Sequence, residues 1–382
     1  MQSPILATIP VAYFVLSVLV SCAALNVSQS LRIYFLFPIL LLAIKSFGSI
    51  NHLNLVPGLP QLWGHLVFIH SVHITSLLYL EKWRLHPEGS NWDFHAAYKI
   101  WANPQFLNTH REVPRARNKI NNKPSRIRFL RNRFLQFAAF YIIHQYVVSP
   151  LSLSAFLPLS IDTFAPAREK YFRRLSQVTI YETLFRVASV FRFIWLNVGG
   201  LHLAQTACAI LFSIILRWDE PYEWQALFGT PLEAYSLRRF WGRFWHRIVV
   251  RPYTTYGLWL SQVCHLKTNS IAEVLFVSTF VFSLSGVAHA LVTWQTLGCG
   301  YWKDISWFLM NATATVGETA VTKWWTRSIH GKDKDLEKAR STCYSGMLYK
   351  VLGFMWVFVF MFWSIPKWEY GKIYCVSWRM RA

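Results

Sequence analysis

Charge is scarce in this chain. Only 15% of its 382 residues are Asp, Glu, Lys or Arg, against about a quarter in a typical soluble domain. Acidic residues are the scarcer kind: 18, against 39 Lys and Arg, for a formal net charge of +21. Chemical signatures are missing as well. The chain has no Walker A loop, no GxGxxG turn, no GxSxG elbow and no HExxH pair, which removes the common phosphate-loop, dinucleotide, serine-hydrolase and zinc-protease motifs. Its six cysteines show no CxxC and no zinc-ligand spacing, so no metal is implied. There is no internal repeat, no low-complexity tract and no linker long enough to separate two domains. Residues 1–382 therefore read as a single integral membrane domain.

What fills the sequence is apolar: 54% hydrophobic residues and 17% aromatic ones. They are clustered. Ile5–Leu25, Leu59–Leu80, Phe134–Ile161, Phe193–Leu216 and Val274–Leu297 contain no Asp, Glu, Lys or Arg. A bilayer core about 30 Å thick needs about 20 mainly apolar residues per spanning helix. Val351–Ile365 is short but reaches that length if Ser341–Lys350 joins the same helix. Ile33–Phe47, Pro252–Leu266 and Ile305–Val321 are weaker candidates. Ile5–Leu25 has no basic segment before it and exceeds a usual signal-peptide core, so it reads as a first span and signal anchor. The expected fold is all-α, a polytopic transmembrane helix bundle of about seven to nine spans.

On a soluble chain the basic excess would point to nucleic acid. Here the basic residues lie in loops between apolar runs, so nucleic acid is not an expected partner. Cytosolic loops attract Lys and Arg, and membrane lipid is the expected surface. Two readings stay open: topology with anionic-lipid contact, or a site for CoA or another phosphate. The nine Lys and Arg from Arg111 to Arg133 put that segment on the cytosolic side. A second basic cluster, Arg168–Arg174, lies beyond Phe134–Ile161. Keeping both clusters cytosolic requires that run to break near Pro150 and Pro158 into two helices or a re-entrant pair. Asn26-Val27-Ser28 is a glycosylation sequon, usable only at a lumenal end.

Two segments could carry chemistry. The first is Leu237-Arg-Arg-Phe-Trp-Gly-Arg-Phe-Trp-His246-Arg. On a helix, Phe240, Trp241, Phe244, Trp245 and Ile248 gather on one side. Arg239, Arg243 and His246 fall opposite, within roughly 60° of each other. An interfacial helix with Trp anchors explains this pattern. A polar stripe facing an anionic cosubstrate is the sharper alternative, and Gly242 would then allow a second backbone close by. The second segment is Phe282-Ser-Leu-Ser-Gly286-Val-Ala-His289-Ala. His289 lies about 22 Å into its apolar run. An ionisable group at that depth faces the bundle interior or a wet cavity. It is either a donor in one interhelical hydrogen bond or a general base. Ser283, Ser285 and Gly286 suit close helix packing. His65, His70 and His73 sit together in Leu59–Leu80, too few for a metal site, and read as structural hydrogen-bonding groups.

Taken in order, Trp218-Asp219-Glu-Pro221-x2-Trp224-x3-Phe228-Gly229-x5-Tyr235 running into Phe240-Trp241 and His246, then Ser285-Gly286-x-x-His289, resembles the wax-synthase-like branch of the membrane-bound O-acyltransferases. The likeness covers residues 181–296. It implies an acyl-CoA cosubstrate, here with acetyl-CoA as the donor, a lipophilic alcohol acceptor and a membrane of the endoplasmic reticulum. It implies His289 as the general base and His246 as a second catalytic residue. Better-known relatives carry asparagine at the second position, so His246 would orient the thioester rather than move protons. Arg239 and Arg243, with Trp241 and Trp245, are the expected acyl-CoA contacts. Within the branch the chain is similar to fungal O-acetyltransferases that act on terpenoid or meroterpenoid alcohols in secondary metabolism. A long-chain wax or sterol ester synthase is the rival enzyme, and a transporter or lipid-binding membrane protein the rival of another class. Trp241, Trp245, Trp294 and Trp307 would either line a substrate tunnel or serve as interface and packing residues.

Overall fold

The computed structural model describes residues 4–85, 91–107, 124–150, 160–330 and 343–379. Among these the regular structure is helical, with no strand. The helices are α1 (Pro4–Asn26), α2 (Ile33–Gly48), α3 (Leu59–Thr75), α4 (Phe94–Trp101), α5 (Arg126–Ile143), α6 (Ile180–Ile210), α7 (Leu237–Arg239), α8 (Val250–Val263), α9 (Ile271–Leu297), α10 (Trp302–His330) and α11 (Cys343–Arg379). Among the described residues four segments are long and apolar enough to cross a membrane: Ile5–Asn26, Ile180–Ile215, Ile271–Leu297 and Met347–Arg379. The last of these is the short run Val351–Ile365, lengthened on its N-terminal side as expected and on its C-terminal side, beyond expectation, to Arg379.

Helix ends follow local chemistry. The Ser270 hydroxyl accepts from the Glu273 N–H at 3.1 Å and opens α9, and the Thr179 hydroxyl does the same for Glu182 at the start of α6. Both satisfy a backbone donor that the first helical turn leaves open. Gly298, at φ 68°, closes α9 in the left-handed region, where a residue without Cβ is strongly favoured. Four wider, π-helical turns follow helices: Ser76–Leu80, His144–Val148, Leu211–Ile215 and Phe240–Phe244.

The chain divides into two compact units. One comprises residues 1–113 and 248–313, the other residues 114–247 and 314–382. In the first, α1 packs on α2 and α4, and α9 packs on α8 and α3. Its core joins Leu25, Ile39, Ile74, Leu77, Leu78 and Phe106. In the second, α11 packs along α6, and α5 meets α6. Phe164, Phe185 and Tyr370 form its core cluster. Beside them Arg186, fully buried, lies with its guanidinium 4.7 Å from the Tyr171 ring centre. Most of the basic stretch 111–133, up to residue 123, and Pro158 with its neighbours lie outside the described residues.

Candidate active site

In the first unit, His289 sits on α9 at a place built for close approach. A Cβ added to Gly286, one turn earlier, would lie 3.1 Å from both Ile305 Cα and Phe308 Cβ. Only glycine therefore lets α10 come this near. The contact brings the Phe308 ring to 4.8 Å from the His289 ring, centre to centre. Small-residue packing of this kind was legible in the Ser-x-Ser-Gly spacing, and Gly286 is the residue that carries it. Ser283 is half-buried and hydrogen-bonds to its own helix at the Thr279 carbonyl.

On the other side of His289 stands α3. A Cβ on Gly64 would lie 3.0 Å from Val292 Cγ2, so these helices also approach over a glycine. The next residue, His65, reaches His289: its Nε2 is 3.1 Å from His289 Nδ1. His70 and His73 behave differently. His70 Nδ1 accepts from the Trp101 indole at 2.8 Å, and its Nε2 meets the Ser17 hydroxyl at 2.9 Å. His73 lies 3.1 Å from the Trp101 carbonyl and 2.6 Å from the Arg251 guanidinium, which itself pairs with Glu81. Those two are structural, as expected. His65 is the residue that sequence reasoning missed. One signal was present: at 100° per residue His65 lies about 140° around the helix from His70, so the three histidines never shared one face.

In the second unit, the Arg-rich segment departs from the straight helix expected over 237–248. One turn, α7, leads into the wider turn Phe240–Phe244, closed by the Trp245 N–H to the Phe240 carbonyl at 2.7 Å. At Trp245 the backbone is extended, with ψ 157°. His246 is therefore beyond the helix, and the polar stripe keeps only Arg239 and Arg243. A tertiary contact accounts for the break. The Gly229 N–H donates to the Phe244 carbonyl at 2.8 Å, which takes that acceptor away from helix continuation. A Cβ on Gly229 would run into the Arg243 carbonyl. The close backbone approach expected at Gly242 occurs at Gly229, while Gly242 has open space around it.

Arg239 and Arg243 do converge. Both pair with Glu233, Arg243 at 3.2 Å. Arg239 also lies over the Tyr235 ring, 4.2 Å from its centre. Desolvation first, and the neighbouring Arg243 charge second, lower the Arg239 pKa below its ordinary value. Glu318 fixes the start of α7 by accepting from the Leu237 N–H at 2.7 Å and the Trp356 indole at 2.9 Å. Trp245 is buried among Phe193, Phe228, Phe240 and Trp241, and Trp241 meets it edge-on at 5.4 Å. Trp245 and Trp307 are thus both buried, and Trp294 is exposed. His246 lies against Phe228 and Trp245, with ring centres at 6.0 and 5.8 Å.

Residues 224–310, which hold both His246 and His289, match the model of the membrane-bound O-acyl transferase family. The chain is 33% identical over 177 residues to acetyltransferase atnC of Arthrinium sp, covering 45% of this chain and 38% of that one. It is 30% identical over 167 residues to acetyltransferase spyB of Aspergillus fumigatus, covering 42% and 28%. It is 28% identical over 188 residues to acetyltransferase ple2 of Rhodocybe pseudopiperita, covering 48% and 46%. The chain thus spans less than half the length of each of these relatives. No solved structure matches it. The likeness first read from the Trp, Gly and His motifs is a match to the membrane-bound O-acyl transferase family across residues 224–310, within a chain similar to fungal acetyltransferases over about half its length.

Proposed function

We propose that residues 1–382 form an acyl-CoA-dependent O-acyltransferase of the endoplasmic reticulum, with about seven to nine spans. The donor is acetyl-CoA. The acceptor is a lipophilic alcohol, a terpenoid or meroterpenoid of fungal secondary metabolism. The observation that carries the reading is His289: an imidazole deep in an apolar helix, inside the family-matched segment, with glycine-mediated packing holding its neighbours in place. The three curated relatives described above, each named an acetyltransferase, support the short donor.

In this reading acyl-CoA enters from the cytosolic side, with Arg239 and Arg243 as its phosphate contacts. The His289 imidazole takes the hydroxyl proton as the alcohol oxygen attacks the thioester carbonyl carbon. The new C–O bond forms, the tetrahedral adduct collapses, and the C–S bond breaks. The imidazolium returns its proton to the departing thiolate, so ester and CoA thiol leave and the enzyme is unchanged. His246 orients the thioester. No covalent enzyme intermediate is required.

The test is acyl transfer by purified full-length protein from labelled acetyl-CoA and palmitoyl-CoA to a panel of polycyclic alcohols. His289→Ala should lose at least 10²-fold in kcat, the lower end for general-base catalysis, while inserting normally. A variant that keeps more than about a tenth of the rate removes His289 from that role. The two donors separate the chain-length readings. A tunnel for palmitoyl buries about fourteen more CH₂ groups at ~0.8 kcal/mol each. A clear kcat/KM preference for palmitoyl-CoA would make this an ester-storage enzyme.

A further inference from the structure

The pairing of His65 with His289 determines which nitrogen of His289 can accept a proton. His65 Nδ1 lies 2.7 Å from the Gln61 carbonyl oxygen. A carbonyl oxygen only accepts, so Nδ1 of His65 carries the hydrogen. In a neutral ring the other nitrogen, Nε2, then holds a lone pair. That nitrogen is 3.1 Å from His289 Nδ1, and two lone pairs do not make a hydrogen bond. His289 Nδ1 therefore donates, and the lone pair of His289 is on Nε2. Hydrogens run in one direction along the chain: His289 Nδ1–H to His65 Nε2, and His65 Nδ1–H to the Gln61 carbonyl.

We propose that His65 is the positioning residue for His289. By accepting from Nδ1–H it selects the tautomer in which Nε2 is the base. It also fixes the ring and shares the positive charge that the ring gains on taking the hydroxyl proton. No net proton crosses to His65 during turnover. The proposal rests on the general-base reading of His289 given above. Backbone and side chains converge on it. Gly64 lets α3 close onto Val292, one turn beyond His289. Phe308 covers the His289 ring at a tilt of 31°. A metal is the other common reason for two histidines to meet. Among the described residues no group of three His, Cys, Asp or Glu is placed to hold one.

The experiment compares three substitutions that differ in what they offer His289 Nδ1. The amide oxygen of His65→Gln reaches about as far as Nε2 and can accept. His65→Asn has the same polarity but stops at the position of Nδ1. His65→Leu keeps the volume and offers no acceptor. Each is assayed as full-length purified protein with labelled acetyl-CoA and a polycyclic alcohol that the wild type acetylates, beside His289→Ala. The expected result is a kcat loss on the order of 10–100-fold for Asn and Leu, as for other residues that orient a functional histidine. KM for acetyl-CoA should stay within about twofold of wild type, and Gln should recover most of kcat. Asn and Gln carry the same functional group, so their comparison holds even if the Leu protein does not fold. Equal rates for Gln and Asn, or a defect in KM alone, overturn the positioning role. An inactive His289→Ala beside fully active His65→Asn and His65→Leu sinks this inference and leaves the general base standing. An active His289→Ala sinks the base itself.

Discussion

Replacing Gly286 with alanine tests whether helix contact, rather than local sequence, positions the base. The added Cβ would lie 3.1 Å from Ile305 Cα and 3.1 Å from Phe308 Cβ, tighter than ordinary contact, which begins near 3.4 Å. Ile305 Cα is backbone and cannot rotate away, so α10 must move by a few tenths of an ångström. Overpacking of this size costs roughly 1–3 kcal/mol. Alanine gains at most about 1 kcal/mol over glycine in a helix, so the net change is destabilising. Phe308 moves with α10, and its ring touches His289. A misplacement of about 1 Å at a reacting centre can cost 10²-fold, so a shift of a few tenths should lower kcat by about tenfold. The assay is kcat for acetyl transfer beside the thermal midpoint of the detergent-solubilised protein. Both should fall. Wild-type kcat with an unchanged or higher midpoint would refute the argument, because α10 would then not be pressed on Gly286.

Arg243→Ala should raise KM for acyl-CoA several-fold and leave KM for the alcohol unchanged. If only the alcohol KM moves, the arginine pair serves the other substrate; if neither moves, the pair is a surface feature. A cysteine introduced between residues 111 and 123 should react with an impermeant thiol reagent in sealed, cytosol-out microsomes. Labelling only after detergent would invert the topology and the side of CoA entry. Asn26 should carry no glycan, because its amide nitrogen donates to the Cys22 carbonyl at 2.8 Å and its oxygen accepts from the Asp93 N–H at 2.7 Å. A mobility shift on endoglycosidase treatment, lost in Asn26→Gln, would contradict that.

The long helices were legible because bilayer-length apolar runs leave few alternatives. Their ends were less so: the apolar run began at Val274, while Ser270 opens the helix and Gly298 closes it. His289 and Gly286 stood out for a related reason: a polar ring and a missing side chain are conspicuous in an apolar helix. The Arg-rich segment was harder. Its stripe arithmetic assumed 3.6 residues per turn, and the turn at Phe240–Phe244 is wider. What broke the helix was a hydrogen bond from Gly229, a residue in a loop with no period to read. Glu233 escaped for the same reason, since nothing in its spacing ties it to Arg243. His65 is separated from His289 by 224 positions, and only the packing of α3 against α9 brings them together. A single sequence contains the pieces of such a contact but no distance between them.

The carboxylate shared by Arg239 and Arg243 would make any anion capture at this place an exchange. An incoming group competes with Glu233 for these two guanidinium partners. The Glu233 side chain is about one-third exposed, and ion pairs with that access to water are individually worth little, about 0–1 kcal/mol. The displacement is therefore easy, and its balance depends on valence. A monoanion, such as a fatty carboxylate or a phosphodiester, offers the pair no more charge than Glu233 already does. A terminal phosphate, carrying −1.5 to −2 at neutral pH, offers more. The cluster would thus rank ligands by charge number, favouring the phosphomonoester end of a coenzyme over the many singly charged lipids around it.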